Sequence, residues 1–72
     1  MRIISWNVRG LGKNRTFREA QEVIREHKPQ ILFLCETKMT VQQMKKKSEQ
    51  FCFPSCFAVG REGMSGGLAM LW

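Results

Sequence analysis

The 72-residue chain contains no aspartate and no tyrosine, and its one histidine is His27. Without aspartate it cannot assemble the Asp–His pair that activates water in many hydrolases, so a self-sufficient acid–base centre of that kind is excluded. Three cysteines, Cys35, Cys52 and Cys56, cannot all pair within one chain. Cys52-x₃-Cys56 offers half of a tetrahedral zinc site, and with one histidine and one further cysteine the other half is missing. No apolar run approaches the roughly 20 residues that span a bilayer. Ahead of the brief Ile3-Ile4 stretch stands a single basic residue, Arg2, which is too little for a secretory leader. Free thiols and an intracellular setting, nuclear or cytoplasmic, are the expectation.

What is present is a globular composition: 43% apolar residues against 25% charged. A chain of this length buries only about 60% of the surface its unfolded form exposes, so one small domain of marginal stability is the upper bound. Twelve Lys/Arg against six Glu give a net charge of +6. Such a surplus favours an anionic partner, nucleic acid first and an acidic membrane surface second, although a merely solvated basic surface accounts for it equally well. Charge alone names no function.

Residues 1–8 open with β-branched and aromatic residues and read as a strand, which Arg9-Gly10-Leu11-Gly12 then punctuates with a turn suited to positive φ. Phe17, Ala20, Ile24 and His27 recur at helical spacing on one stripe. Thr16-x-x-Glu19 predicts a capping box, with Asn14 a competing N-cap, and Pro29 stops the helix. Ile31 to Cys35 is a continuous apolar run of strand length, the pattern of a strand covered on both faces. Strand, helix and buried strand predict a parallel βαβ unit, which brings the strand ends at Asn7 and Glu36 to one edge of the sheet.

A second helix is expected from Thr40 to about Phe51, with Val41, Met44, Ser48 and Phe51 on one face and Thr40-x-x-Gln43 as its cap. Lys45-Lys46-Lys47 falls mostly on the other faces, where a solvated surface is the plainer reading and contact with phosphate the sharper one. Two short strands, 57–59 and 68–72, flank glycines at 60, 63, 66 and 67 and predict a hairpin with an irregular loop. The last of these strands is apolar enough to be central, so its exposed edge suggests a truncated domain.

Glu36 follows five apolar residues directly, so its carboxylate should emerge at the mouth of a buried strand. It is a hard-oxygen ligand suited to Mg²⁺; pairing with Lys38 or Arg9 is the plainer alternative. Asn7 could donate to a phosphate oxygen or simply form a turn. Three segments occur in order: Trp-Asn-Val-Arg-Gly-Leu-Gly at 6–12, Phe-Leu-Cys-Glu-Thr-Lys at 33–38, and Ser-Gly-Gly-Leu-Ala-Met-Leu-Trp at 65–72. Together they resemble the endonuclease/exonuclease/phosphatase (DNase I-like) family. The likeness is greatest to the endonuclease domain that opens plant LINE-type non-LTR retrotransposon polyproteins.

The resemblance implies an α/β fold: the N-terminal portion of a four-layer α/β/β/α sandwich, in the order β-α-β-α-β-β. It implies in-line hydrolysis of a phosphodiester in DNA with Mg²⁺, or possibly Mn²⁺, as cofactor. It casts Asn7 as the active-site asparagine and Glu36 as the metal-binding glutamate, both catalytic. Lys38 matches a lysine that often follows that glutamate, and Arg9 stands where some relatives carry aspartate; both are candidates for nucleic-acid backbone. Family Asp and His residues belong to later segments, so residues 1–72 are expected to be inactive alone. A non-catalytic basic remnant that binds nucleic acid through Arg9, Arg15, Arg18 and the 45–47 lysines, or a small interaction domain, are the alternatives. Neither a membrane nor an obligate protein partner is expected.

Overall fold

A computed structural model describes residues 1–63 and 65–72. In chain order the described residues form β1 (Ile3–Asn7), α1 (Asn14–His27), β2 (Ile31–Cys35), α2 (Val41–Gln50), β3 (Cys56–Glu62) and β4 (Ser65–Leu71). The strands make one sheet in the order β1-β2-β4-β3. β1 and β2 are parallel, as a strand–helix–strand crossover requires, and β4 runs antiparallel to both β2 and β3. The 68–72 segment, expected to be central from its apolarity, does lie inside the sheet.

Period-two alternation divides the sheet into two faces. Register aligns Ile4, Leu32, Leu71 and Cys56 in one row and Trp6, Leu34, Ala69 and Ala58 in the next. These rows pack against Phe17, Ala20 and Ile24 of α1 and against Met44 and Phe51 on the α2 side, so both helices cover the same face. Phe17 and Phe51 stack with centroids 4.9 Å apart, tying the helices to each other. The other face is open. Phe33 is 40% exposed, which corrects the expectation that β2 is covered on both sides. A run of apolar residues marks two-sided burial only when a second layer is there to supply it.

α1 ends as its sequence dictates. Lys28 turns left-handed at φ 47° and its N–H returns to the Ile24 carbonyl at 2.8 Å, after which Pro29 is buried. Its start differs from expectation. The helix begins at Asn14 after Lys13, with no side-chain cap, and Thr16 already lies in the first turn. The turn through Gly12 feeds the helix two residues earlier than the Thr16–Glu19 pattern implies. His27 is exposed and not half-buried on the stripe, and its carbonyl accepts a 2.9 Å bond from the Arg2 guanidinium.

α2 is capped as expected. The Gln43 N–H donates to Thr40 Oγ1 at 3.2 Å while the Thr40 N–H donates to Gln43 Oε1 at 3.0 Å. Thr40→Ala should therefore lower the unfolding free energy by about 1 kcal/mol, read from the shift of a urea denaturation midpoint. Met44, Ser48 and Phe51 are buried and Val41 is 38% exposed. Of the three lysines, Lys47 does not reach out into solvent: its Nζ sits 4.3 Å from the centroid of the Phe17 ring. Burial pushes the Cys56 thiol up, and the nearby Ser48 hydroxyl and Lys45 ammonium partly offset this. The Ser48 hydroxyl is buried beside it without reaching hydrogen-bond geometry to any partner.

The hairpin glycines fall differently from the sequence pattern. Ser65, Gly66 and Gly67 belong to β4, and Arg61 pairs with Gly66 and Glu62 with Ser65, so the turn is reduced to Gly63 and residue 64, the latter outside the described residues. Strand propensity is poor for such glycines, and tertiary pairing overrides it.

Candidate active-site rim

Parallel pairing places Asn7 opposite Cys35, so the chain reaches Glu36 one residue further along the neighbouring strand. The pairing continues past the strands. The N–H groups of Val8, Gly10 and Leu11 donate to the carbonyls of Cys35, Glu36 and Thr37 at 3.0, 2.8 and 3.0 Å. On the other side, Thr37 and Lys38 donate to the carbonyls of Gly67 and Gly66 at 3.2 and 2.9 Å. Segments 7–11, 35–38 and 66–67 are thus stitched into one rim at the C-terminal ends of β1 and β2, the edge where open α/β sheets carry their sites.

This rim has an unusual backbone. Arg9, Glu36 and Lys38 take left-handed φ values of 51°, 52° and 55°, and Gly10, Gly66 and Gly67 take 103°, 80° and 92°. For a residue with a Cβ that conformation costs about 1–2 kcal/mol. Three in one rim persist only because the surrounding hydrogen bonds hold them, and such clusters mark functional sites more often than scaffold.

Glu36 is exposed and borders a groove of about 340 Å³ together with Cys35, Glu62, Ser65, Gly67 and Leu68. Asn7 is exposed one strand over, beyond Cys35, and alternation puts it on the same open face as Cys35 and Leu68. Asn7 and Glu36 therefore meet at one rim, open to the same side. Arg9 and Lys38 are exposed on it, and the stem of Lys38 lies over Gly10. No ion pair joins Glu36 to Lys38 or Arg9 among the described residues. His27 stands at the opposite end of the sheet, just before β2 begins.

Two features of the rim escape a linear reading. Glu62 reaches the groove only through the β3–β4–β2 pairing, so nothing in its neighbours marks it. Thr37 is 1% exposed, with an Oγ1 that has no hydrogen-bond partner, and a Cβ on Gly67 would collide with that oxygen. The Glu-Thr-Lys segment draws attention to its charged ends, while its middle residue sits on the glycine.

The profile of the Endonuclease/Exonuclease/phosphatase family matches residues 4–72. The chain belongs to that family. Among solved structures the fold is similar to that of the 3′ phosphatase NExo from Neisseria, bound to a product DNA hairpin, with a TM-score of 0.68 at 24% identity. The match covers 94% of this chain and 26% of that one, so residues 1–72 span about a quarter of the length of the enzyme they superpose on. No curated protein sequence gives a significant match. The family places the chain among nuclease and phosphatase domains, and the α/β order expected from the sequence is the one observed. No helix among the described residues is long and apolar enough to cross a membrane.

Proposed function

We propose that these residues are the opening portion of a Mg²⁺-dependent DNA endonuclease of retroelement, LINE-like type, and that they do not cleave DNA by themselves. The observation that carries this reading is the shared rim of Asn7 and Glu36, held in left-handed backbone by hydrogen bonds from three segments. In this reading Glu36 is the metal-binding carboxylate and Asn7 donates to a phosphate oxygen of the scissile group. Arg9 and Lys38 face the nucleic-acid backbone, as their exposure on the rim permits.

The donor set fits Mg²⁺. That ion binds through one or two carboxylates and otherwise keeps water and phosphate oxygens, and Glu36 offers an exposed hard oxygen at the edge of a groove. Once bound, the ion neutralises charge on the phosphate and leaving oxygen. The chain's own residues orient and hold: Asn7 and Glu36 supply positioning, and no described side chain at the rim is a histidine or aspartate able to take the proton from water. Retroelement type rests on the Asn7-Val8-Arg9-Gly10-Leu11-Gly12 segment, and DNA as partner is supported by the +6 charge and by the DNA bound to the Neisseria phosphatase.

Mn²⁺, a paramagnetic substitute for Mg²⁺, tests the reading. Millimolar Mn²⁺ should broaden the amide signals of residues 7–10 and 36–38 before those of Glu19, Glu22 and Glu26 on α1, and Glu36→Gln should abolish that order. Broadening that starts on α1, or is unchanged in Glu36→Gln, overturns the metal assignment. Supercoiled plasmid incubated with the chain and Mg²⁺ should remain un-nicked.

A further inference from the structure

The open face of the sheet has no role in the proposed nuclease chemistry away from its rim, yet it is the most apolar surface of the molecule. Register builds it from two rows: Ser5, Phe33, Met70 and Phe57, then Asn7, Cys35, Leu68 and Val59. With Ile3 added, the side chains of Phe33, Phe57, Val59 and Leu68 are 40–63% exposed. At roughly 150–200 Å² per large side chain this leaves about 500 Å² of contiguous apolar surface, near the top of what a monomer ordinarily shows. It is about a tenth of the total 5039 Å², the share that one partner commits to a stable interface. A hollow of about 230 Å³ lies in its middle, flanked by Phe33 and Phe57.

Charge selects the occupant. Among the described strand residues, alternation brings a single charged side chain onto this face, Arg61, at the far end of β3. The other Lys/Arg residues lie on the helices, the loops and the rim. A molecule of net charge +6 can approach a second copy here without opposing its cationic surfaces, which it can do nowhere on the helical side. The face is also self-complementary: Phe57, 63% exposed, projects beside a hollow that a two-fold mate's Phe57 can fill.

We propose that two copies of the 72-residue chain pack sheet to sheet through these rows, with the helices outside. The assembly removes about 1,000 Å² of apolar surface in total, the lower bound for a specific dimer. It also produces helix, sheet, sheet and helix in layers, so that each copy supplies the layer the other lacks. The inference does not depend on the nuclease reading.

Light scattering coupled to size exclusion should give twice the 8.4 kDa mass of one chain at tens of micromolar, falling toward 8.4 kDa on dilution. The double variant Phe57→Lys/Val59→Lys should run at 8.4 kDa at every concentration. Gln42→Lys, on exposed α2 surface, should leave the dimer intact. As a readout that needs no variant to fold, the amide shifts of the unaltered chain should change with concentration along residues 5, 7, 33, 35, 57, 59, 68 and 70 and not along α1. A chain that is monomeric at millimolar concentration, open-ended oligomers that grow through the β1 and β3 edges, a dimer that survives the double variant, or shifts centred on the helices would each overturn the proposal. So would a face that is covered only when a further polypeptide segment is supplied.

Discussion

Replacing Gly67 by alanine should cost about 3–5 kcal/mol and leave much of the chain unfolded at room temperature. The position is left-handed at φ 92°, which alone penalises a Cβ by about 1–2 kcal/mol. The added methyl also collides with Thr37 Oγ1 and comes within 3.1 Å of the Lys38 amide nitrogen, an overpacking that costs a further 1–3 kcal/mol, roughly. Neither neighbour can yield cheaply, since Thr37 is buried and the Thr37 and Lys38 N–H groups both bond to segment 66–67. A chain of this size has roughly 4–11 kcal/mol of total stability to lose. Circular dichroism against urea measures the loss. The double variant Gly67→Ala/Thr37→Ala should recover part of it by removing the hydroxyl, leaving the backbone strain and the contact with Lys38. Full recovery would mean that the left-handed conformation carries no penalty.

Leu11→Ala should cost about 2–5 kcal/mol although the residue lies in a connection and not in a helix or strand. Its side chain is 0% exposed, as deep as any in the molecule, and its N–H donates to the Thr37 carbonyl at 3.0 Å. The side chain therefore anchors the Arg9–Gly12 turn into the core and holds the rim in place. Leu71→Ala, equally buried but at the far end of β4, should cost a similar amount. Hydrogen exchange separates the two. In Leu11→Ala the amides of Val8, Gly10 and Leu11 should lose protection well before the sheet does, whereas in Leu71→Ala they should exchange only with global unfolding. Equal behaviour in both variants would show that the rim is not held by Leu11.

The order of elements was legible because each left a local mark. Pro29 stopped α1, Thr40 and Gln43 capped α2, and the alternation of residues 1–8 against the apolar 31–35 run fixed a parallel pair whose ends coincide. That pair brought Asn7 and Glu36 together without any knowledge of distances. What stayed hidden was whatever depends on non-local neighbours. Thr16 and Glu19 carry a capping pattern that the incoming turn bypasses by starting the helix at Asn14. Ile31–Cys35 reads as doubly covered, yet coverage belongs to the layer above the strand and not to the strand. Gly66 and Gly67 look like loop residues and are strand residues, required by the approach of Thr37. Glu62 enters the groove through two successive antiparallel pairings, a route no spacing rule encodes.

The strand order has a consequence for how the chain reaches its native state. β3 and β4 are neighbours in sequence and can zip within microseconds. β2 must instead find β4 across a long stretch of chain, with Leu32 meeting Leu71 and Cys35 meeting Leu68. Until that docking closes the middle of the sheet, an early hairpin and a βαβ half drift as separate pieces, each with an unpaired edge. The slow step is therefore a search over chain length, and its speed is set by loop-closure entropy more than by the strength of any contact made afterwards.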